Sequence, residues 1–86
     1  MKWSVTLFDG QRVLDTAEFD DQKEALKWAV KREEPIYNLA MERKNEEGQL
    51  VRYQMPVMNG VISCEVAYMN WQRITDIDKF CEEFTL

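Results

Sequence analysis

The sequence predicts an α+β domain of order ββαβββα, in which an antiparallel five-stranded sheet carries two helices packed on one face. Three observations predict it. All three glycines stand in turn-like dipeptides, Asp9-Gly10, Glu47-Gly48 and Asn59-Gly60. Apolar residues change to helical spacing after Asp21, and they do so again after Thr75. The 86 residues are too few for two domains, so residues 1–86 should form a single compact domain.

The first hairpin alternates apolar and polar side chains from Trp3 onward. A two-residue turn at Asp9-Gly10 would set Val5 opposite Leu14 and Trp3 opposite Thr16. This hairpin and the helix that follows it should together fill residues 3–36.

The first helix should occupy about residues 21–33. Asp21 and Glu24 have the spacing of a capping box, in which the first side chain accepts from the backbone and the second reaches back. One apolar stripe follows at helical spacing, formed by Ala25, Leu26, Ala29 and Val30. Trp28 lies beside that stripe. Pro35 disfavours helical geometry in the residue before it, so the helix should stop by Glu34.

Two independent turns predict the same apolar face for a three-stranded meander over residues 36–69. A two-residue turn at Asn59-Gly60 gives the pairs Val57–Ile62, Met55–Cys64, Tyr53–Val66 and Val51–Tyr68. A three-residue loop at Glu46–Gly48 gives the pairs Arg43–Val51, Met41–Tyr53 and Leu39–Met55, with Glu42 opposite Arg52 on the other face. A slip of one residue would reverse the apolar face. Pro56 has no amide donor, so it should mark a bulge or the end of pairing on one side of the middle strand.

A second helix should occupy about residues 76–84. Ile77, Phe80, Cys81 and Phe84 recur on one helical face, behind a cap at Thr75. Residues 68–73 would then link the last strand to this helix.

Composition places the chain among ordinary globular proteins, with 45% hydrophobic and 31% charged residues. The apolar runs are short and the first residues enter a strand pattern without a signal peptide, so we expect a cytoplasmic protein. If the chain is encoded by a phage, this is the host cytoplasm. Cys64 and Cys81 fall on apolar faces, which favours buried thiols over a disulfide. The net charge of −5 comes from scattered acids without a basic stripe, so binding to duplex nucleic acid is not expected.

Residues that carry common catalytic chemistry are scarce. The chain has no histidine, which removes the usual general base and the commonest metal ligand. Every glycine is assigned to a turn, so a phosphate-binding loop is not expected either. The prediction is a protein without cofactor or metal that is not an enzyme. Glu42 and Glu65 on one sheet face are the alternative, as an acid and base pair, but the preferred interpretation of these residues is a solvated sheet face with charge pairs.

Candidate partner-binding residues lie between the last strand and the last helix. Trp, Tyr, Met and Arg are enriched at interface hot spots, which points to Tyr68, Met69, Trp71 and Arg73, with Trp28 second. The alternative is that Tyr68 and Trp71 only cover the core. The apolar stretch Met55–Met58 would suggest a partner if it formed an exposed rim, and packing against the first hairpin is its other explanation.

These features favour a non-catalytic protein-binding module, such as a small inhibitor or regulatory subunit. In size, acidity and lack of catalytic groups the chain is similar to the small single-domain inhibitors that bacteriophages and other mobile elements encode, although no specific residue carries that similarity. Its acids would steer it toward a basic partner surface. Self-association as a homodimer through open sheet edges is the first alternative, and a small enzyme that uses paired carboxylates is the second.

Overall fold

The computed structural model describes residues 2–67 and 70–86, which form six strands and two helices. In chain order they are β1 Trp3–Asp9, β2 Arg12–Phe19, α1 Gln22–Ala29, β3 Ile36–Lys44, β4 Leu50–Met58, β5 Val61–Ala67, β6 Asn70–Ile74 and α2 Ile77–Glu83. The strands form one antiparallel sheet in the order β2-β1-β3-β4-β5-β6. The predicted α+β class and antiparallel sheet are confirmed.

The predicted count of five strands is wrong, because the segment expected to link the sheet to α2 contains β6. Ile74 of β6 lies opposite Ile62 of β5, and both are buried in the core. Trp71, Gln72 and Arg73 are all exposed, so the strand shows little apolar alternation. The order is therefore ββαββββα.

The β3–β4 hairpin has the register that the sequence predicts. Arg43 lies opposite Val51, and Glu42 lies opposite Arg52. Asn45 closes the loop, since its side-chain oxygen accepts from the Glu47 and Gln49 amides. Gly48 has φ +79°, the left-handed conformation that the predicted three-residue loop requires.

The first hairpin differs from its predicted register. Its turn is Gly10-Gln11 rather than Asp9-Gly10, since Asp9 lies opposite Arg12. A bulge then shifts the register, so Val5 lies opposite Ala17 instead of Leu14. Trp3 lies opposite Phe19 instead of Thr16. The shift places Phe19 against the core, where the predicted register would have left a polar threonine beside Trp3.

Pairing between β4 and β5 is short. In the described part of the chain it comprises Val57 with Ile62 and Met58 with Val61. The Asn59 amide donates to the Pro35 carbonyl, just before β3. Backbone amides alternate in direction along a strand, so the odd-numbered amides of β4 point toward β3 and its even-numbered positions point toward β5. Pro56 therefore lacks its donor on the β5 side, which confirms that it ends pairing there. The pairing of β4 with β5 over the described residues does not include the predicted Met55–Cys64 and Tyr53–Val66 pairs. The predicted Val51–Tyr68 pair lies outside those residues.

Both helices are shorter than predicted. The Asp21 carboxylate accepts from the Lys23 amide as an N-cap of α1, which ends at Ala29 rather than near residue 33. In α2 the N-cap is Asp76, which accepts from the Lys79 amide, and not Thr75.

One hydrophobic core lies between the helices and one face of the sheet. The sheet contributes alternate residues from each strand, such as Val5, Leu39 and Val57, while the helices contribute Leu26 and Phe80. Cys64 is buried and Cys81 half-buried, both as free thiols. Both helices therefore pack on the same face, and no helix formed by residues 2–67 or 70–86 covers the opposite face of the sheet.

Candidate functional site

The sheet face opposite the helices, here called the helix-free face, follows from strand alternation. Leu7 and Leu39 lie opposite one another in the core, so their neighbours Phe8 and Asn38, which also pair, point the other way. The same parity continues through the sheet. It assigns to the helix-free face the even-numbered residues of β1, β3 and β4 and the odd-numbered residues of β6.

All five exposed large hydrophobic residues among the described positions lie on the helix-free face. They are Val13 at 59%, Ile36 at 59%, Leu50 at 64%, Met58 at 53% and Trp71 at 54% exposure. Single exposed hydrophobics are ordinary on a protein surface, but their collection on one face is not. This distribution identifies the helix-free face as the candidate functional site.

One end of this face carries an apolar band that crosses five strands. We define the apolar band as Phe8, Val13, Ile36, Pro56, Met58 and Val61. Cross-strand pairs join it in two parts: Phe8 lies opposite Val13, and Met58 lies opposite both Ile36 and Val61. Asn38 lies between the two parts, opposite both Phe8 and Pro56. Phe8, Pro56 and Val61 are half-buried by these neighbours. Among the described residues, no charged side chain interrupts the band.

The other end of the face carries paired charges. The Lys2 ammonium nitrogen lies 3.3 Å from a carboxylate oxygen of Glu18, and a guanidinium nitrogen of Arg52 lies 3.9 Å from a carboxylate oxygen of Glu42. Between the charges and the band runs a row of small and uncharged residues, including Thr6, Ala40 and Gln54. Along β1, β3 and β4 the helix-free face thus changes from apolar to neutral to charged, whereas β5 and β6 carry the charged residues Glu65 and Arg73.

Two of the predicted partner-binding residues lie on this face, on the edge strand β6. Trp71 lies opposite Glu65, and Arg73 lies opposite Ser63. Both are exposed, so Trp71 does not only cover the core. Tyr68 and Met69 lie outside the described residues.

Trp28, the remaining predicted residue, is half-buried on the helical side of the sheet, away from Trp71. Its ring packs on Phe19 at 5.4 Å between centroids, and the Arg32 guanidinium lies 5.1 Å from its centroid. Arg32 also pairs with Asp15, and that hydrogen bond holds the pKa of the Asp15 carboxyl below its ordinary value. Trp28 thus belongs to a cluster with Phe19, Arg32 and Asp15 that joins α1 to β2.

Sequence reasoning missed most of the apolar band. Within Met55–Met58, Met55 and Val57 enter the core, whereas Met58 forms part of an exposed rim. The signal lay in apolar doublets, because two adjacent apolar residues in a strand must place one on each face. Five doublets occur near the same end of the sheet: Leu7-Phe8, Val13-Leu14, Ile36-Tyr37, Val57-Met58 and Val61-Ile62.

The two candidate catalytic carboxylates lie on different strands of this face. Glu42 on β3 faces Arg52, and Glu65 on β5 is exposed with β4 between them. Within residues 2–67 and 70–86, no group of three acidic or cysteine side chains is placed to hold a metal ion. In the same residues, neither helix has the length and hydrophobicity to span a bilayer.

Comparisons with protein-family models, with curated proteins and with solved structures gave no match.

Proposed function

We propose that this chain is a non-catalytic protein-binding module, a small inhibitor or regulatory subunit, whose binding surface is the helix-free face. The observation that carries this proposal is the collection of all described exposed large hydrophobics on that one face. The monomer's own core lies on the other side of the sheet, so these side chains do not serve the packing of the monomer.

The energetics of the apolar band suit a protein partner. Ile36 and Met58 are each more than half exposed, so covering each would contribute on the order of 1 kcal/mol. Arg73 and Trp71 extend the surface along β6 with residue types that are common at interface hot spots. A flat apolar band with a polar margin is the usual composition of such a surface.

The test is affinity capture from lysate of the cells that express the gene, followed by mass spectrometry. The double variant Ile36→Glu with Met58→Glu should lose the captured protein by at least about tenfold, because charges would be buried in the contact. Thr85→Glu is the control, since Thr85 is exposed beside α1 and α2, on the other side of the sheet. It should retain the partner.

A second pair of substitutions tests the predicted residues on β6. Trp71→Ala with Arg73→Ala should weaken capture if the contact extends to the edge strand. Circular dichroism of each variant checks that the fold is intact. Equal capture by wild type and by the Ile36→Glu, Met58→Glu variant would refute the helix-free face as the binding surface.

A further inference from the structure

The β3–β4 hairpin lies at the middle of the strand order. Three strands, β2, β1 and β3, lie on one side of a line between β3 and β4, and β4, β5 and β6 lie on the other. If two copies of the chain packed their helix-free faces together about an axis along that line, β3 of one copy would lie over β4 of the other. Such aligned packing of sheets, at about 10 Å separation, is common in β-sandwiches.

In this arrangement, residues that lie opposite one another on β3 and β4 within one copy would also face each other between the two copies. Ile36 and Met58 lie opposite one another in one copy, so across the axis Ile36 would meet the second copy's Met58. The apolar bands would therefore cover each other where they lie on β3 and β4, while Val13 on β2 would lie over the second copy's β6. At the other end, Glu42 would meet the second copy's Arg52, because these residues are also opposite within one chain. Along β3 and β4 the face is therefore complementary to itself in both polarity and charge.

The charge on this face also permits self-association. Its described charged residues are four bases, Lys2, Lys44, Arg52 and Arg73, and three acids, Glu18, Glu42 and Glu65. The face is thus nearly neutral, although the whole chain carries −5. Most of the acidic residues that would repel a second copy lie elsewhere.

The size of the face meets the requirement for a stable dimer. Six strands at about 4.8 Å spacing span roughly 24 Å, and nine residues of β3 span roughly 27 Å, so two copies would cover roughly 1,300 Å². A specific interface needs more than about 1,000 Å² in total.

We propose that the helix-free face is a homodimer interface, in which the apolar bands of two copies pack together and Glu42 pairs with Arg52 of the second copy. This inference rests on the part of the proposed function that makes the helix-free face a protein-binding surface, and it takes a second copy of the chain as the partner in place of a protein to be inhibited or regulated. It is distinct from the strand-edge dimer that the sequence suggests, because here the sheets stack face to face.

Sedimentation equilibrium from low to high micromolar concentration tests the dimer. Wild type should approach twice the 10.3 kDa mass of one chain. Ile36→Glu with Met58→Glu should remain a monomer with an intact circular dichroism spectrum. A monomeric wild type at the highest concentration would overturn the homodimer, while the capture experiment would still decide whether the face binds a different protein. A dimer unaffected by the double variant would also overturn it, in favour of association through strand edges.

A charge exchange provides a specific second test. Glu42→Arg alone places arginine against arginine across the axis, and Arg52→Glu alone places glutamate against glutamate, so each variant should dimerise at least about tenfold more weakly. Mixed one to one, the two variants should form a heterodimer, because position 42 of each copy then faces a residue of opposite charge at position 52 of the other copy. Failure of the mixture to dimerise better than either variant would contradict the proposed axis.

Discussion

At the scale of single residues, Tyr37 joins the sheet to α1. Its side chain is 1% exposed, and its hydroxyl donates a hydrogen bond of 2.6 Å to the Ala29 carbonyl at the end of the helix. The last carbonyls of a helix have no partner within the helix, so this bond satisfies a group that would otherwise be buried unpaired. Burial also raises the pKa of the Tyr37 hydroxyl, which keeps it neutral and able to donate.

Removing that hydroxyl should be costly. Tyr37→Phe leaves the Ala29 carbonyl unpaired, so we expect the free energy of unfolding to fall by about 1–3 kcal/mol. Tyr53→Phe is the matched control, because Tyr53 is half-buried against Trp3 and no hydrogen bond of its hydroxyl is found within the described residues. Its effect should stay within about 0.5 kcal/mol. Urea unfolding of both variants measures the difference, and equal losses would show that the hydroxyl of Tyr37 is not the cause.

At the scale of elements, β4 is paired along its length with β3, whereas among the described residues only its turn end pairs with β5. All nine of its residues, Leu50–Met58, have a partner in β3. Pro56 explains the difference, because its missing amide lies on the β5 side. In the part of the chain that the structure describes, Arg52 and Gln54 have no paired residue in β5.

Hydrogen exchange should show this one-sided pairing as an alternation of slowly and rapidly exchanging backbone amides along β4. The Tyr53 and Met55 amides face β3 and should exchange slowly, whereas the Arg52 and Gln54 amides should exchange faster by at least about tenfold. Exchange measured residue by residue by NMR is the suitable experiment. Uniform protection from Arg52 to Met55 would contradict the short β4–β5 pairing.

How well each element could be predicted depended on how much its turn constrained it. Asn59 and Gly60 both have positive φ, as a two-residue hairpin turn requires, and Gly48 is left-handed in its loop, so these two turns defined their registers. Gly10 defined its register less well, because either Asp9 or Gln11 can share a two-residue turn with it. The bulge beyond it has no sequence signature, since it depends on which residues pack around Phe19.

The candidate site was harder to predict than the fold. Trp71 and Arg73 were identified by residue type, but their position on a sixth strand was not, because no glycine marks the connection before it. Ile36 and Met58 resembled core residues, since hydrophobicity alone does not state which face of a strand is covered. That distinction needs the positions of both helices, which depend on the packing of Leu26 and Phe80 against the far side of the sheet.

At the scale of the whole molecule, polar contacts join α1 to the segment that follows α2, and join that segment to the sheet. The Gln22 amide donates to the Phe84 carbonyl at 3.1 Å and accepts from the Leu86 amide at 2.8 Å. Arg43 donates to the Leu86 carbonyl, which ties the same segment to β3. These contacts hold both helices on one face, so the other face remains available for a partner.

Asp78 links α2 to α1 and should make the stability of the whole domain depend on pH in acid. Its carboxylate lies 2.9 Å from Lys27 and 3.6 Å from Lys23, and the hydrogen bond with Lys27 is the main cause that lowers the pKa of Asp78 below its ordinary value of 3.8. Because the folded state binds that proton more weakly than the unfolded state, the stabilisation is present above the ordinary pKa and is lost as the pH falls through the lowered pKa.

Asp78→Asn should therefore be less stable than wild type at pH 7 and should lose less stability on acidification. Salt should reduce this difference in stability, because the Asp78 side chain is 57% exposed. Glu82→Gln, on the same helix and without an ion pair among the described contacts, should match wild type. Urea unfolding at neutral and acid pH measures this, and parallel acid losses in wild type and Asp78→Asn would show that the link between the helices does not depend on this carboxylate.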